Sequence, residues 1–480
     1  MTNSLYWYDL ETSGLQTRWD RVVQFAGFRT DMDLNPIGDE YCTYVKLPDD
    51  VLPAPDATLV TGITPSLTLR EGIGEWQMLT RVQALFSQAQ TCVVGYNSLR
   101  FDDEFIRNGF YRMLLEPYAR EWHNGNSRWD IIDLVRACGA LRRDGVEWPQ
   151  TEEGLPVYRL ELLTKANGLE HGNAHDALSD VRATVALAKL IKTAQPRLYD
   201  YYFNLRYKKQ ARKLLEPYGS RICLHVSGMY PRERYCSAPV VSVCRHPTNS
   251  NSIIVADLSQ DIESLLQWPP EQIRENLFKA GAKQRPPLKE IRINRCPFVV
   301  GLEVMTEENF SRIGFDKKAL EERKRRLQKP GIVQKIARVY RDREQSAAID
   351  PEAALYDAFL QDSDRSRCVS LQERLQVGDW LDLDYEDKRL LSLSQRLKAR
   401  DFNELLSDAE AAQWREFVTA KLHTETAPWL TLQAYTQRIE ELRLQATDTD
   451  CDNAAESERR IRLLDALAEH AGSLSGRYPP

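Results

Sequence analysis

Asp9 and Glu11 stand two residues apart in Tyr8-Asp9-Leu10-Glu11-Thr12. If this stretch is a strand, its side chains alternate and both carboxylates leave the same face. Two negative charges so close repel each other. A hard divalent cation, which takes carboxylate oxygen and water ligands, removes the conflict. A further carboxylate, Asp102, follows the loop Gly95-Tyr96-Asn97-Ser98-Leu99-Arg100-Phe101 at the expected start of a helix, where an N-cap role explains it equally well. Asp103 and Glu104 come next, so the pattern alone leaves open which acid faces a site. His175 and Asp180 form the third group. Five helical residues turn through about 500°, leaving the two about 140° apart, so they converge only if His175 precedes the helix or lies on its first turn. Gly172 and Asn173 favour that placement. Singly, these groups are a solvated strand end, an N-cap and a structural histidine. Together they are four carboxylates and a histidine in order along about 170 residues, a set suited to metal-assisted acid–base chemistry.

The elements that must position them read as an α/β unit over residues 1–195. Leu5–Leu10, Arg21–Arg29 and Tyr41–Leu47 have strand composition with turn residues between them, and Thr91–Tyr96 is a short apolar run suited to a buried strand. Trp76–Phe86, Asp102–Leu115, Trp129–Leu141, Leu160–Asn167 and Ala174–Thr193 have helical spacing, with Gly168 as a stop signal. Three strands in sequence, then strands alternating with helices, predict a mixed sheet flanked by helices. Gln195-Pro196 is a natural break. Residues 196–347 read as a small β-rich domain with one basic helical insertion and strands at Ile222–Val226, Pro239–Cys244, Ser252–Leu258 and Phe298–Val304. Residues 348–480 read as all-α.

The 480 residues carry a formal net charge of -6, which hides a division along the chain. Residues 197–235 hold 9 Lys/Arg against 3 Asp/Glu, and residues 281–343 hold 17 against 8. Residues 344–480 hold 16 against 27. A phosphate backbone would be attracted to the middle of the chain only. The run Glu321–Arg326 alone reads as a solvated helix face. No run of about 18 apolar residues occurs, so no membrane span is expected, and the N-terminus has no secretory pattern. The 9 cysteines lack C-x-x-C or zinc-like spacing and read as reduced, mostly buried thiols of a cytoplasmic protein.

The ordered set Asp9, Glu11, Asp102, His175, Asp180 resembles the DEDD superfamily of 3′→5′ exonucleases, in the subgroup whose fifth member is histidine. The stretches Arg128-Trp129-Asp130, Gly154-Leu155-Pro156, Arg159-Leu160-Glu161, Leu163–Gly168 and Asn173–Ala177 narrow the likeness to the bacterial exonuclease I family. His225-Val226-Ser227-Gly228-Met229 extends it into the second domain, and Cys296-Pro297 and Leu355-Tyr356 carry it into the third. One departure is Leu10, where the nearest relatives are expected to have an aromatic residue.

The resemblance implies a ribonuclease H-like exonuclease domain, an SH3-like β-rich domain and a helical C-terminal domain. It implies Mg²⁺-dependent 3′→5′ hydrolysis of single-stranded DNA to 5′-mononucleotides, in DNA repair and recombination. Two Mg²⁺ ions, with Mn²⁺ as a substitute, would be held by Asp9, Glu11 and Asp180 and by Asp9 and Asp102, with His175 as general base. Cations and aromatics interleave between residues 107 and 136, a composition suited to base stacking and phosphate contact, although core packing also explains several of them. Arg107, Tyr118, Trp122, Arg136 and Arg159 are the expected strand contacts. By the same resemblance the outer domains wrap the strand, and Arg142 and Arg338 receive the acidic C-terminal tail of single-stranded DNA-binding protein. A monomer is expected.

Overall fold

The computed structural model describes residues 3–169, 176–341, Ala348, 350–448 and 454–480. Its first domain is built on a five-stranded sheet in the order β3-β2-β1-β4-β5. The strands are β1 (Ser4–Thr12), β2 (Val22–Thr30), β3 (Pro36–Tyr44), β4 (Thr91–Gly95) and β5 (Ser127–Asp130). β1 runs antiparallel to β2 and parallel to β4, so it lies mid-sheet with both edges paired. That suits Leu5, Trp7 and Leu10, which are fully or almost fully buried.

The helices of this domain are α1 (Pro55–Thr61), α2 (Pro65–Glu71), α3 (Glu75–Phe86), α4 (Asp102–Arg112), α5 (Ile132–Leu141), α6 (Leu160–Ala166) and α7 (Ala177–Ala194). α7 buries Val181, Thr184, Val185, Ala188 and Ile191, a stripe at helical spacing, and packs on β1 and β2. Gly168, with φ 64°, ends the α6 segment in the left-handed region, where glycine carries no Cβ penalty.

Four readings from the sequence need correction here. Trp129 belongs to β5 and only Ile132–Leu141 is helical; the four-residue strand is too short to show a period of its own. The third strand ends at Tyr44 rather than Leu47. α1 and α2, each opened by a proline at its first position, were not expected. The strand at Phe298 stops at Gly301 and turns into a 3₁₀ helix.

The second domain is an antiparallel five-stranded sheet in the order β10-β6-β7-β8-β9. Its strands are β6 (Ile222–Val226), β7 (Ser237–Arg245), β8 (Ser252–Asp257), β9 (Leu288–Arg292) and β10 (Phe298–Gly301). β9 was not expected. The inserted helices, Glu263–Gln267 and Pro270–Phe278, are not the basic ones; Lys317–Leu327 and Ile332–Arg341 follow the sheet. Three of the four cations of the Glu321–Arg326 run are ion-paired, Lys324 with Glu321 at 2.8 Å, Arg325 with Glu322, and Arg326 with Glu263, while Arg323 donates to the Leu258 carbonyl at 2.7 Å.

From residue 350 onward the described chain is helical, with Asp362–Leu375, Lys388–Asp401, Asp408–His423, Leu432–Asp448 and Ala454–Arg477 as its main helices. A buried charge network joins this domain to the first. Asp50 accepts from Arg400 Nε at 2.9 Å and from Lys421 at 2.6 Å, while Arg21 and Arg400 both reach Glu352 at 2.6 Å. No described helix is long and apolar enough to cross a membrane. All eight described cysteines are unpaired, and all but Cys42 are buried.

Candidate active site

β1 places Asp9 and Glu11 on one face, as alternation requires, while Tyr8 points the other way among Phe25 and Phe86. Asp180 reaches the same place from the first turn of α7. One carboxylate oxygen each from Asp9, Glu11 and Asp180 lies within 4.8 Å of the other two. Asp102, 5 % exposed, begins α4 beside them.

The electrostatics are those of a site short of positive charge. Burial, then the charges of Asp102 and Asp180, push the Asp9 carboxyl well above its ordinary range. Burial, then Asp9 and Asp180, raise Glu11 to about 9. Asp102 is likewise raised by burial, and by Asp103, Asp130 and Glu11. A hard divalent cation fits this donor set, because all its atoms are carboxylate oxygens and their mutual repulsion is what such an ion offsets.

The choice among the three adjacent acids, open in the sequence, is made by distant cations. Asp103 accepts from Arg120 at 2.7 Å, from Arg128 at 2.6 Å and from the Tyr8 hydroxyl at 3.0 Å. Burial opposes its charge, but Arg120, Arg128 and Arg107 outweigh burial and hold its pKa well below the carboxylate range. Glu104 pairs with Arg107 at 2.8 Å and Arg295 at 2.5 Å, and its pKa is also lowered. Asp102, with a raised pKa, is the acid of the three that faces Asp9 and Glu11.

The loop leading to Asp102 is held by Asp130, whose carboxylate accepts from the backbone N–H groups of Asn97 at 2.8 Å, Leu99 at 3.1 Å and Ile132 at 3.0 Å. Sequence reasoning had not given Asp130 or Asp103 a role. Their signal was the charge pattern of Arg120, Arg128 and Asp130, which acquires meaning only once the strands are paired. His175 lies outside the described residues.

The expected strand contacts fall into two groups. Trp122 is 67 % exposed, and Arg159 is exposed and paired with Glu161. Arg107 is buried between Glu104 and Glu121, with its guanidinium 5.6 Å from the half-buried Tyr118 ring. Arg136 bonds Asp133 at 2.7 Å, close against Gly228 of the second domain. The other members of the interleaved segment, Tyr111, Arg112, Arg120, Arg128 and Trp129, are buried. Arg142 donates to the Val304 carbonyl at 2.9 Å, and Arg338 is exposed and pairs with Glu271 at 3.2 Å.

Three family models tile the chain: Exonuclease over residues 6–188, Exonuclease I SH3-like domain over 206–342, and Exonuclease I C-terminal domain over 349–474. Exodeoxyribonuclease I of Haemophilus influenzae is 39% identical across 98% of this chain and 99% of its own length. The chain belongs to the exodeoxyribonuclease I family. The structure of E. coli Exonuclease I in complex with a dA16 oligonucleotide matches with a TM-score of 0.92 at 37% identity, covering 98% of this chain and 100% of that one. A zinc ion bound form of an E. coli ExoI-ssDNA complex matches with a TM-score of 0.91 at 37% identity, over 98% and 100% of the two chains.

Membership confirms the three-domain order expected from the sequence, and makes the chain a nuclease that hydrolyses phosphodiester bonds from an end. Divalent-metal dependence belongs to that exonuclease domain and accords with the carboxylate cluster.

Proposed function

We propose that this exonuclease removes 5′-mononucleotides one at a time from the 3′ end of single-stranded DNA, with Mg²⁺ as its metal. The observation that carries the reading is the convergence of Asp9, Glu11 and Asp180 within 4.8 Å, beside the buried Asp102. Solved relatives described as complexes with oligonucleotides support the substrate.

In this reading Asp9, Glu11 and Asp180 would hold one ion, and Asp9 with Asp102 would hold or orient a second. When bound, the pair supplies Lewis acidity and charge neutralisation at the scissile phosphate. His175 takes the proton of the attacking water on an imidazole nitrogen, a role that suits a general base. Glu11 also borders the terminal nucleotide. Tyr118 and Trp122 offer aromatic faces to bases, and Arg107, Arg136 and Arg159 offer charge to phosphates. Arg107 does so only by exchanging its carboxylate partners. A groove of about 730 Å³ between the first two domains, lined by Arg100, Arg285, Lys289 and Arg292 among others, suits the rest of the strand.

Arg142 and Arg338 receive the acidic tail of single-stranded DNA-binding protein. Arg142 borders a cleft of about 520 Å³ with Pro196, Arg197 and Tyr201, where a C-terminal carboxylate would meet two guanidinium groups. The protein acts as a cytoplasmic monomer in DNA repair, with domains dividing near residues 195 and 347. Incubation with 5′-labelled and 3′-labelled oligonucleotides, single-stranded, duplex and RNA, tests the substrate. A ladder from the 5′ label and immediate mononucleotide release from the 3′ label, on single-stranded DNA, are expected. Attack on RNA alone would overturn the assignment.

A further inference from the structure

Glu104 stands two residues beyond Asp102, in the first turn of α4, and its carboxylate is bonded from all three domains. Arg107 of the same helix donates to Oε1 at 2.8 Å. Arg295 of the SH3-like domain donates to the same oxygen at 2.5 Å. Tyr356 of the C-terminal domain donates its hydroxyl to Oε2 at 2.5 Å, and Arg107 donates to that hydroxyl oxygen at 2.9 Å. Arg107 also holds Glu121 at 2.6 Å, and Glu121 holds Arg128 at 2.9 Å, so the junction is braced from within the first domain. These are charge-assisted bonds at a mostly buried position, where their geometry is most restrictive. The neighbouring Asp103 bonds only within its own domain, to Tyr8, Arg120 and Arg128.

The turn that places Asp102 therefore cannot shift without disturbing contacts to both outer domains, and those domains cannot separate without unloading Glu104. We infer that Glu104 is a positioning residue that couples the seating of the SH3-like and C-terminal domains to the placement of Asp102. This rests on the reading of Asp9, Glu11, Asp102 and Asp180 as metal ligands.

The test uses the full chain with Glu104→Gln, Tyr356→Phe and the double substitution. Mn²⁺ affinity is measured by calorimetry on metal-free protein, alongside kcat and KM on one single-stranded oligonucleotide. Glu104→Gln should weaken Mn²⁺ binding severalfold and lower kcat about tenfold with little change in KM, and Tyr356→Phe should do the same to a lesser degree. The double variant should be no worse than Glu104→Gln alone, because both act along one path. Unchanged Mn²⁺ affinity and kcat with only a lower melting temperature would overturn the inference, as would fully additive losses. If Glu104→Gln does not fold, Tyr356→Phe, which removes one hydroxyl, decides. A wild type that binds no Mn²⁺ and cuts nothing would instead overturn the metal-site reading beneath it.

Discussion

The Tyr8 hydroxyl donates to Asp103 Oδ1 at 3.0 Å, so the residue before Asp9 and the residue after Asp102 are bonded to each other. The bond lies on the far side of β1 from Asp9 and Glu11, among buried aromatic rings. It keys the central strand to the first turn of α4, and so sets the spacing between two carboxylates from distant parts of the chain.

Replacing Tyr8 with Phe keeps the packing and removes that key. The variant should lose about 1.5–3 kcal/mol of stability, the range for a hydrogen bond to a charged group. Its divalent-metal affinity should fall as well. Denaturant unfolding and a metal titration read the two effects separately.

Asp102 and Asp103 are adjacent, yet their neutral variants should move stability in opposite directions. Asp102→Asn removes a buried carboxyl whose ionised form burial and the neighbouring carboxylates disfavour, so the metal-free protein should melt at a higher temperature while activity is lost. Asp103→Asn leaves Arg120 buried without its charge partner and Arg128 with Glu121 alone, and should cost about 3–5 kcal/mol. Thermal melts in EDTA check both.

That contrast also marks how far the sequence could be read. The alternation of Asp9 and Glu11 is local and survives into the structure, as does the helix carrying Asp180. Which of Asp102, Asp103 and Glu104 faces the site depends on Arg120, Arg128, Arg295 and Tyr356, and no local spacing encodes such contacts. β5 was read as the start of a helix for a similar reason. Its four residues are made a strand by pairing with β4, not by a period of their own. The buried role of Arg107, Arg112, Arg120 and Arg128 was equally hidden, because a cation in a sequence looks the same whether it meets a phosphate or a buried carboxylate.

The pH dependence of stability follows from the raised acids. Glu11, at about 9 in the fold against 4.5 ordinarily, keeps its proton in the folded protein over that interval while the unfolded chain has lost it. A raised folded pKa gives stability that is fully present below pH 4.5 and is lost as pH rises through about 9. Metal-free protein should therefore melt at progressively lower temperature across that range, with Asp9 and Asp102 adding to the slope. Glu11→Gln should flatten it, and melts at stepped pH in EDTA measure the change.

Trp122 is 67 % exposed and makes an edge contact only with His123 among the described aromatic pairs. Trp122→Ala should leave the melting temperature unchanged and weaken single-strand binding by about 1–3 kcal/mol, the value of one stacked base. Fluorescence anisotropy with a labelled oligonucleotide in EDTA provides the measurement. Unchanged affinity would remove Trp122 from the strand path.

The most direct test of the carboxylate site is digestion of a 5′-labelled single-stranded oligonucleotide by wild type and by Asp180→Ala, each with Mg²⁺ and with EDTA. The account predicts stepwise shortening from the 3′ end by wild type with Mg²⁺ alone, and an intact oligonucleotide in the other three reactions. Undiminished shortening by Asp180→Ala, or by wild type in EDTA, would contradict it.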